Sequence, residues 1–339
     1  MKLLITKIYS RHRKLKVSIT SIFVVALALF CMAFMTPYFC SMLVRAVFAN
    51  PKHPPPLNYG QIYQNVTVYN DVEYPSKYGS NAVDIYLPAN AGQPYKTIVF
   101  AHGGGYVGGD KQETEYFAVS LAANGYAVVS INYRRAPQAT YPAPLIQFGE
   151  VCEFIKSDNL YNLDSTNLIF AGSSAGAHCA AQFAAVQSSK KYADLAGIEQ
   201  TVPAENIAAV LLYCGPYDFE SFGAQGNAFM NFMMNRTMWA YFGAYDWREQ
   251  YGNLATLKHH VTSDFPPAFI TDGNTGSFER DGKDLASALQ NLRVPVTSFF
   301  INIADGKAGH EFQYDMQSPK AEEVFARTVQ FLDLLADLS

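Results

Sequence analysis

A chain of 339 residues, of which 49% are hydrophobic and 16% charged, can bury one large core, and this composition excludes an intrinsically disordered protein. Its net charge of −4 excludes the basic face that nucleic-acid binding requires, so we expect no nucleic-acid partner.

The N-terminal part predicts export. Residues 1–16 carry basic side chains without an acidic one, at Lys2, Lys7, Arg11, Arg13, Lys14 and Lys16. The uncharged stretch Val17–Val44 follows and is long enough to cross a bilayer as a helix. We predict an uncleaved transmembrane signal-anchor over 17–44, with residues 1–16 in the cytoplasm and the remainder outside the cell membrane. The alternative is a secreted protein, cleaved after Val47-Phe48-Ala49.

Proline-rich residues 45–64 predict an extended spacer, and strand and helix patterns alternate from residue 65 to 339. The predicted strands are Val66–Val72, Ala82–Leu87, Thr97–Ala101, Ala127–Tyr133, Leu168–Ala171, Ile207–Tyr213, Ala268–Thr271 and Val294–Ile301. The predicted helices are Glu113–Asn124, Pro144–Ser157, Ala175–Gln187, Gly282–Leu292 and Pro319–Leu335. This alternation predicts an α/β fold with a mostly parallel central sheet flanked by helices.

Residues 219–263 interrupt the alternation with many aromatic and methionine residues. We interpret them as a cap inserted over one end of the sheet. An ordinary crossover with long loops is the alternative.

The cysteines predict neither disulfides nor a metal site. Of five, Cys31 and Cys40 lie in or beside the apolar stretch, and the other three are Cys152, Cys179 and Cys214. Three is an odd number, and their spacing is not that of metal ligands, so we interpret them as small buried side chains. We expect no metal and no cofactor.

The strongest chemical signal is Gly172-Ser173-Ser174-Ala175-Gly176, which lies between a hydrophobic strand and an alanine-rich helix. A serine is a weak nucleophile unless it is exposed, oriented and served by a base. A sharp strand-to-helix turn exposes and orients it, and small residues two positions before and after prevent clashes. The pattern predicts Ser174 as a nucleophile.

A glycine-rich segment, His102-Gly103-Gly104-Gly105, directly follows another strand. Glycines let backbone N–H groups approach a substrate, as an oxyanion hole requires. A phosphate loop is the competing interpretation, but neither of the usual phosphate-loop spacings is present. We expect His102 to fix this loop rather than to act as a base.

His310, in Gly309-His310-Glu311, follows the last predicted strand and is the candidate general base. A loop at the strand ends can bring it to the serine hydroxyl. His178 lies four residues after Ser174 and is expected to point away along the helix.

Together these motifs resemble the α/β-hydrolase fold, specifically the HGGG esterases of the hormone-sensitive-lipase-like and carboxylesterase group. Asn132-Tyr133-Arg134, Tyr141-Pro142-Ala143-Pro144 and Pro266-Pro267 add to the resemblance, which covers roughly residues 66–338. The resemblance implies that the amides of Gly104, Gly105 and Ala175 form the oxyanion hole.

The acid of the triad is missing from its usual place, because Gly276 stands where the family has its aspartate. Without an acid, His310 would lose the partner that fixes its tautomer. Asp218, after the sixth strand, is the first choice. Asp272, Glu279 and Asp281 are the alternatives.

The sequence therefore predicts a serine hydrolase that cleaves small-molecule carboxylic esters, most simply short-chain acyl or acetyl esters, through an acyl-enzyme intermediate. An exported peptidase or amidase on the same fold is one alternative. A non-catalytic binding protein on a hydrolase scaffold is the other, and Gly276 is its best support.

Overall fold

The computed structural model describes residues 2–47, 53–89, 92, 94–224 and 227–336, with the backbone alone at 2–15, 33, 34, 47 and 336. Within these described residues, three helices precede the sheet: α1 (Lys2–Met35), α2 (Tyr38–Val47) and α3 (Tyr59–Tyr63). Phe48 and Ala49, the last two residues of the predicted cleavage site Val47-Phe48-Ala49, lie outside the described residues.

In the part of the chain that the structure describes, the sheet has eight strands in the order β1-β2-β4-β3-β5-β6-β7-β8. Their bounds are β1 Val66–Glu73, β2 Ala82–Pro88, β3 Tyr95–Ala101, β4 Ala127–Ile131, β5 Leu163–Ser173, β6 Ile207–Tyr213, β7 Ala268–Asp272 and β8 Val296–Phe300. The strand β2 is antiparallel to both of its neighbours, and all other pairs are parallel. Each strand overlaps a predicted one, which confirms the mostly parallel sheet.

Both faces of the sheet are covered, as the near-continuous apolar strands predict. Along β3, Ile98 and Phe100 pack into one core cluster, whereas Val99 and Ala101 pack into the cluster on the opposite face. The helices that cover the faces and strand ends are α4 Glu115–Ala123, α5 Ala143–Ser157, α6 Ala175–Gln187, α7 Lys190–Ala196, α8 Ala228–Phe242, α9 Trp247–Ala255, α10 Glu279–Asn291 and α11 Pro319–Ala336. Cys152, Cys179 and Cys214 are buried and free, as expected.

The N-terminal prediction needs correction. Residues 17–44 do not form one continuous helix, because α1 ends at Met35 and α2 begins at Tyr38. Pro37 lies between them; proline has no N–H for a helical hydrogen bond and disfavours helical backbone at the residue before it. In the part of the chain whose side chains are described, no helix is both long enough and apolar enough to cross a membrane. The predicted transmembrane anchor therefore has no support from the structure.

The predicted spacer over 45–64 is also not extended throughout. The helix α2 continues to Val47, and α3 lies inside the same range. Moreover, α2 packs against α8, and its Cys40 and Ser41 are buried. The helix α2 is therefore part of the folded domain.

Candidate active site

Ser174 lies at the turn between β5 and α6, with the strained backbone that the sequence motif predicts. Its φ is 53° and its ψ −120°, a conformation that non-glycine residues rarely adopt. The backbone amide of Ser174 donates to the Tyr213 carbonyl at the end of β6 over 2.8 Å and so holds the turn in place. The serine side chain therefore projects at the carboxyl edge of the sheet.

Gly172 and Gly176 make this turn possible. A Cβ atom on Gly172 would collide with the Gly176 carbonyl, and one on Gly176 would collide with the Ala101 carbonyl at the end of β3. The two glycines thus let the serine turn pack tightly on itself and on the neighbouring strand.

The glycine loop after β3 lies beside the serine. Gly104 and Gly105 have φ values of 100° and 60°, and Gly108 donates its amide to the Gly104 carbonyl over 2.8 Å. His102 is fully buried, its Nδ1 contacts the Gly103 carbonyl at 2.7 Å, and its ring stacks on Tyr133. Burial lowers the pKa of His102 to about 4. It holds the loop, as expected, and stays uncharged.

His310 contacts the serine directly. Its Nε2 lies 2.9 Å from Ser174 Oγ, and its ring meets Phe278 edge-on. Burial lowers the pKa of His310 below its ordinary value, although the neighbouring Glu311 charge opposes this. A neutral imidazole is the form that can accept a proton from the serine hydroxyl. His178 instead is buried against Phe219 and contacts the Ala255 carbonyl, away from the serine.

The other ring nitrogen of His310 contacts a serine rather than an acid. His310 Nδ1 lies 2.8 Å from the hydroxyl of Ser277, in the loop after β7. Ser277 has no motif around it, so sequence reasoning missed it. The one available signal was its position directly after Gly276.

Asp218, the first-choice acid, is engaged elsewhere. Its carboxylate lies 2.8 Å from Lys258 Nζ and accepts the amides of Glu220 and Ser221. Burial alone would raise the pKa of Asp218, but Lys258 and these two amides bring it below its ordinary value. The prediction that Asp218 orients His310 is corrected accordingly, because the partner at His310 Nδ1 is Ser277.

Two of the alternative acids also have structural partners. Asp281 accepts the amides of Tyr217 and Asp218, both at 3.1 Å, and burial raises its pKa to about 6. Glu279 lies 2.7 Å from Lys283 on the same helix.

Asp272, the third alternative, ends β7 and is completely buried. Neither of its carboxylate oxygens has a hydrogen bond of good geometry within the described part of the chain, but the Ser277 hydroxyl, the Cys214 thiol and the amides of Gly273 and Phe278 lie close enough to act on it by weaker hydrogen bonding. One of them lies within 4.8 Å of both Cys214 Sγ and a ring nitrogen of His310. Burial raises the pKa of Asp272 to about 7, against smaller opposing effects from Ser277, Gly273, Cys214 and Phe278. Cys214, Asp272 and His310 are also the described residues best placed to hold a metal ion.

A cavity of about 270 Å³ opens above Ser174 and His310 and includes the predicted oxyanion residues Gly105 and Ala175. Its walls are mostly apolar. They comprise Val44 from α2, Met230, Met233, Met234, Thr237 and Met238 from α8, and Tyr106, Pro216, Phe222, Gly276 and Phe278. Sequence analysis did not place Val44 here, because Val44 belongs to the stretch that it assigned to a membrane anchor.

A second cavity of about 280 Å³ shares five residues with this one: Phe222, Met230, Met234, Gly276 and Phe278. Its remaining lining is more polar and includes Asp218, Ser221, Ser277, Arg280 and Asp281. Two cavities thus meet beside the serine, and the second has the more polar lining of the two.

This sheet order, with a serine turn, a glycine loop and a histidine at the carboxyl edge, defines an α/β-hydrolase esterase of the hormone-sensitive-lipase and carboxylesterase type. The BD-FAE family model matches residues 83–278, which is more than half of the chain, and the chain belongs to that family. An acetyl esterase of Salmonella paratyphi B is 27% identical over 229 residues, 65% of this chain and 67% of that protein.

Solved structures show the same fold. Inhibited esterase B from Lactobacillus rhamnosis matches with a TM-score of 0.72 at 19% identity, over 92% of this chain and 97% of that one. An esterase of Pyrobaculum calidifontis matches with a TM-score of 0.67 at 17% identity, over 92% and 98%. Family, relatives and fold together make the protein a carboxylic ester hydrolase.

Proposed function

We propose that the protein hydrolyses short-chain acyl esters, with acetyl esters foremost, through an acyl-enzyme on Ser174. The observation that carries the proposal is the 2.9 Å contact between His310 Nε2 and Ser174 Oγ at the floor of an apolar cavity. His310 takes the serine proton as Oγ attacks the ester carbonyl, and then gives that proton to the leaving alcohol. Water, activated by the same histidine, releases the acid.

The amides of Gly104, Gly105 and Ala175 are the proposed oxyanion donors. Support comes from the position of Gly105 and Ala175 in the cavity wall beside Ser174, and from the open backbone of the glycine loop. Such fixed donors stabilise the charge that develops on the carbonyl oxygen and remove a large part of the barrier.

We assign the acyl group to the apolar cavity and the alcohol to the polar one. The methionines of α8 line the first cavity, and this supports interpretation of residues 219–263 as a cap. The small volume of about 270 Å³ favours short acyl chains, since a drug-sized ligand needs roughly 300–1,000 Å³.

The test is hydrolysis of p-nitrophenyl esters with acyl chains of graded length. Ser174→Ala should lower kcat by about 10⁴-fold or more, as loss of a nucleophile does. Ser188→Ala, at the far end of α6, is the matched control and should keep full activity. Labelling of Ser174 by a phosphonate, read by mass spectrometry, identifies the nucleophile independently. Equal turnover by wild type and Ser174→Ala would end the proposal.

The same assay separates the alternatives. Faster cleavage of the matching p-nitroanilide than of the ester would favour an amidase or peptidase. No turnover by wild type, together with tight binding of an ester analogue, would favour a binding protein.

We also propose that the enzyme acts outside the cytoplasm. Support comes from the sequence alone: six basic residues between Lys2 and Lys16, followed by the apolar stretch that begins at Val17. Fractionation of cells that express the full chain with a C-terminal tag tests this. Tag in carbonate-washed membranes indicates an anchored protein, tag in the medium or periplasm a cleaved one, and tag in the cytosol contradicts the proposal.

A further inference from the structure

We propose that Ser277 positions His310 and links it to the buried carboxylate of Asp272, so that two residues together replace the single acid of a Ser-His-Asp triad. This inference rests on the proposed function, because it concerns how His310 is oriented for that reaction.

The direction of each hydrogen bond follows from the chemistry. For His310 to take the Ser174 proton, its Nε2 must carry the lone pair, so the ring hydrogen is on Nδ1. Nδ1–H then donates to Ser277 Oγ over 2.8 Å. A hydroxyl that accepts one hydrogen bond still has its own proton to donate. Ser277 therefore needs an acceptor on its far side.

Asp272 is the acceptor at hand. Its side chain is fully buried, neither carboxylate oxygen has a hydrogen bond of good geometry within the described residues, and one oxygen lies within 4.8 Å of a ring nitrogen of His310. A buried carboxylate without partners is costly, and such groups concentrate at functional sites. The Ser277 side chain is close enough to Asp272 to lower the pKa of that carboxyl by hydrogen bonding, so a Ser277 hydroxyl that donates to Asp272 completes the chain from Ser174 to Asp272.

The carboxylate supplies the charge that a serine lacks. When the Ser174 proton moves to Nε2, the ring becomes an imidazolium, and a neutral hydroxyl alone stabilises that cation poorly. Of the other groups around the ring, Cys214 is kept as a neutral thiol because burial raises its pKa. Glu311, the next residue in the chain, also favours a positive ring through its charge, but its hydrogen bond is with the Ser173 hydroxyl and not with His310. Only the proton from Ser174 moves in this scheme, which requires the ionised form of Asp272.

Gly276 explains why the link is indirect. Its φ is 61°, and a Cβ atom built on it meets no atom within 4 Å, so the turn has room for the aspartate that similar esterases have there. Without that side chain, the Ser277 hydroxyl fills the position next to Nδ1. An aspartate at 276 can therefore be tested as a replacement, since Asp tolerates positive φ better than most residues.

The experiment measures kcat and KM for p-nitrophenyl acetate from pH 5 to 9, with thermal unfolding as a check of folding. Ser277→Ala and Asp272→Asn should each lower kcat on the order of 10²-fold while KM changes little. The double variant should lose no more than the worse single variant, because the two residues act as one unit. Thr275→Ala, in the same loop with its hydroxyl on Asn274, is the matched control and should be unaffected.

Two rescues separate positioning from folding. Ser277→Thr keeps the hydroxyl and should keep most of kcat. Ser277→Ala combined with Gly276→Asp puts a carboxylate at Nδ1 and should recover at least tenfold of the lost kcat. Full kcat in Ser277→Ala, or losses that simply add in the double variant, would overturn the link. Ser174→Ala is measured beside these variants. If Ser174→Ala is inactive and Ser277→Ala is fully active, only the link between Ser277 and Asp272 is overturned. If both variants are fully active, the proposed function is overturned as well.

Discussion

Arg45 Nε donates to the Val107 carbonyl over 2.7 Å, which joins helix α2 to the segment that follows the proposed oxyanion glycines. The same guanidinium donates to the Ala136 carbonyl and to Gln138 Oε1. The contact matters for substrate binding, because the residue before Arg45 in α2 is a wall of the apolar cavity.

Replacing Arg45 by alanine should loosen this wall. Loss of charge-assisted hydrogen bonds costs about 2 kcal/mol, and the displaced helix should raise KM severalfold with a smaller change in kcat. Steady-state kinetics and thermal unfolding measure both effects. Lys191→Ala removes an exposed cation from α7 and serves as control. An unchanged KM for every ester tested would show that α2 is irrelevant to binding.

Val44 should set the acyl length that the enzyme accepts. Val44→Ala enlarges the cavity and should shift the preference toward longer acyl chains, whereas Val44→Phe should restrict the enzyme to acetyl esters. One methylene in an apolar pocket is worth about 1–3 kcal/mol, so the ratio of kcat/KM between butanoate and acetate should change about tenfold or more. Met42→Ala, on the exposed side of the same helix, should leave the ratio as it is. If Val44→Phe keeps the wild-type chain-length profile, the acyl group lies elsewhere.

Acid should destabilise the fold partly through His178, which is completely buried with its Nε2 3.1 Å from the Ala255 carbonyl. Burial lowers the pKa of His178 to about 4, although Ala255 opposes the shift. The unfolded chain therefore takes up the proton first, and stability is lost as pH falls from about 6.5 toward 4. Between pH 7 and pH 5 wild type should lose about 2 kcal/mol more than His178→Gln. Urea unfolding at both pH values measures this, and equal losses would contradict it.

The buried ion pair of Lys111 and Asp84 should be needed for stability. Their charged atoms lie 2.7 Å apart, and both side chains are 2% exposed. Asp84→Asn leaves the Lys111 charge buried with one partner fewer, and should lower the free energy of unfolding by about 3–5 kcal/mol. Asp71 is the second partner of Lys111, and the Asp71 side chain is 75% exposed. Asp71→Asn should therefore lower the free energy of unfolding by only about 1 kcal/mol or less. Similar losses in the two variants, measured by urea unfolding, would show that burial is not the cause.

Sequence alone could predict the sheet and two of the site's parts because their signals are local. Gly172, Ser174 and Gly176 lie within five residues, and the steric reason for each glycine concerns the turn itself or the adjacent strand. The glycine loop is equally compact. His310 could be predicted from its place after the last strand.

The partner of His310 could not be predicted in this way. Ser277 and His310 come from different loops, after β7 and β8, and they meet only because both loops fold over the same edge of the sheet. A serine carries no charge that would single it out. Asp218 was the more conspicuous residue in the sequence, but Lys258, 40 residues further on, occupies its carboxylate.

The place of the N-terminal helices in the fold could not be predicted from the sequence either. The apolar residues of α2 suit a membrane span as well as a protein core, and its contacts with the folded domain, such as the packing on α8 and the hydrogen bonds of Arg45, distinguish the two. No local pattern reports such a contact.

The position of α2 also determines which piece of this chain can be studied as an enzyme. A protein trimmed to begin at Asn50, a natural choice for removing the apolar N-terminus, would lack Val44 and Arg45 and so have one side of its acyl site open to water. Weak activity or altered chain-length preference of such a fragment, compared with a protein that keeps α2, would measure what Val44 and Arg45 contribute to the acyl site. A preparation that begins before Tyr38 keeps the cavity whole.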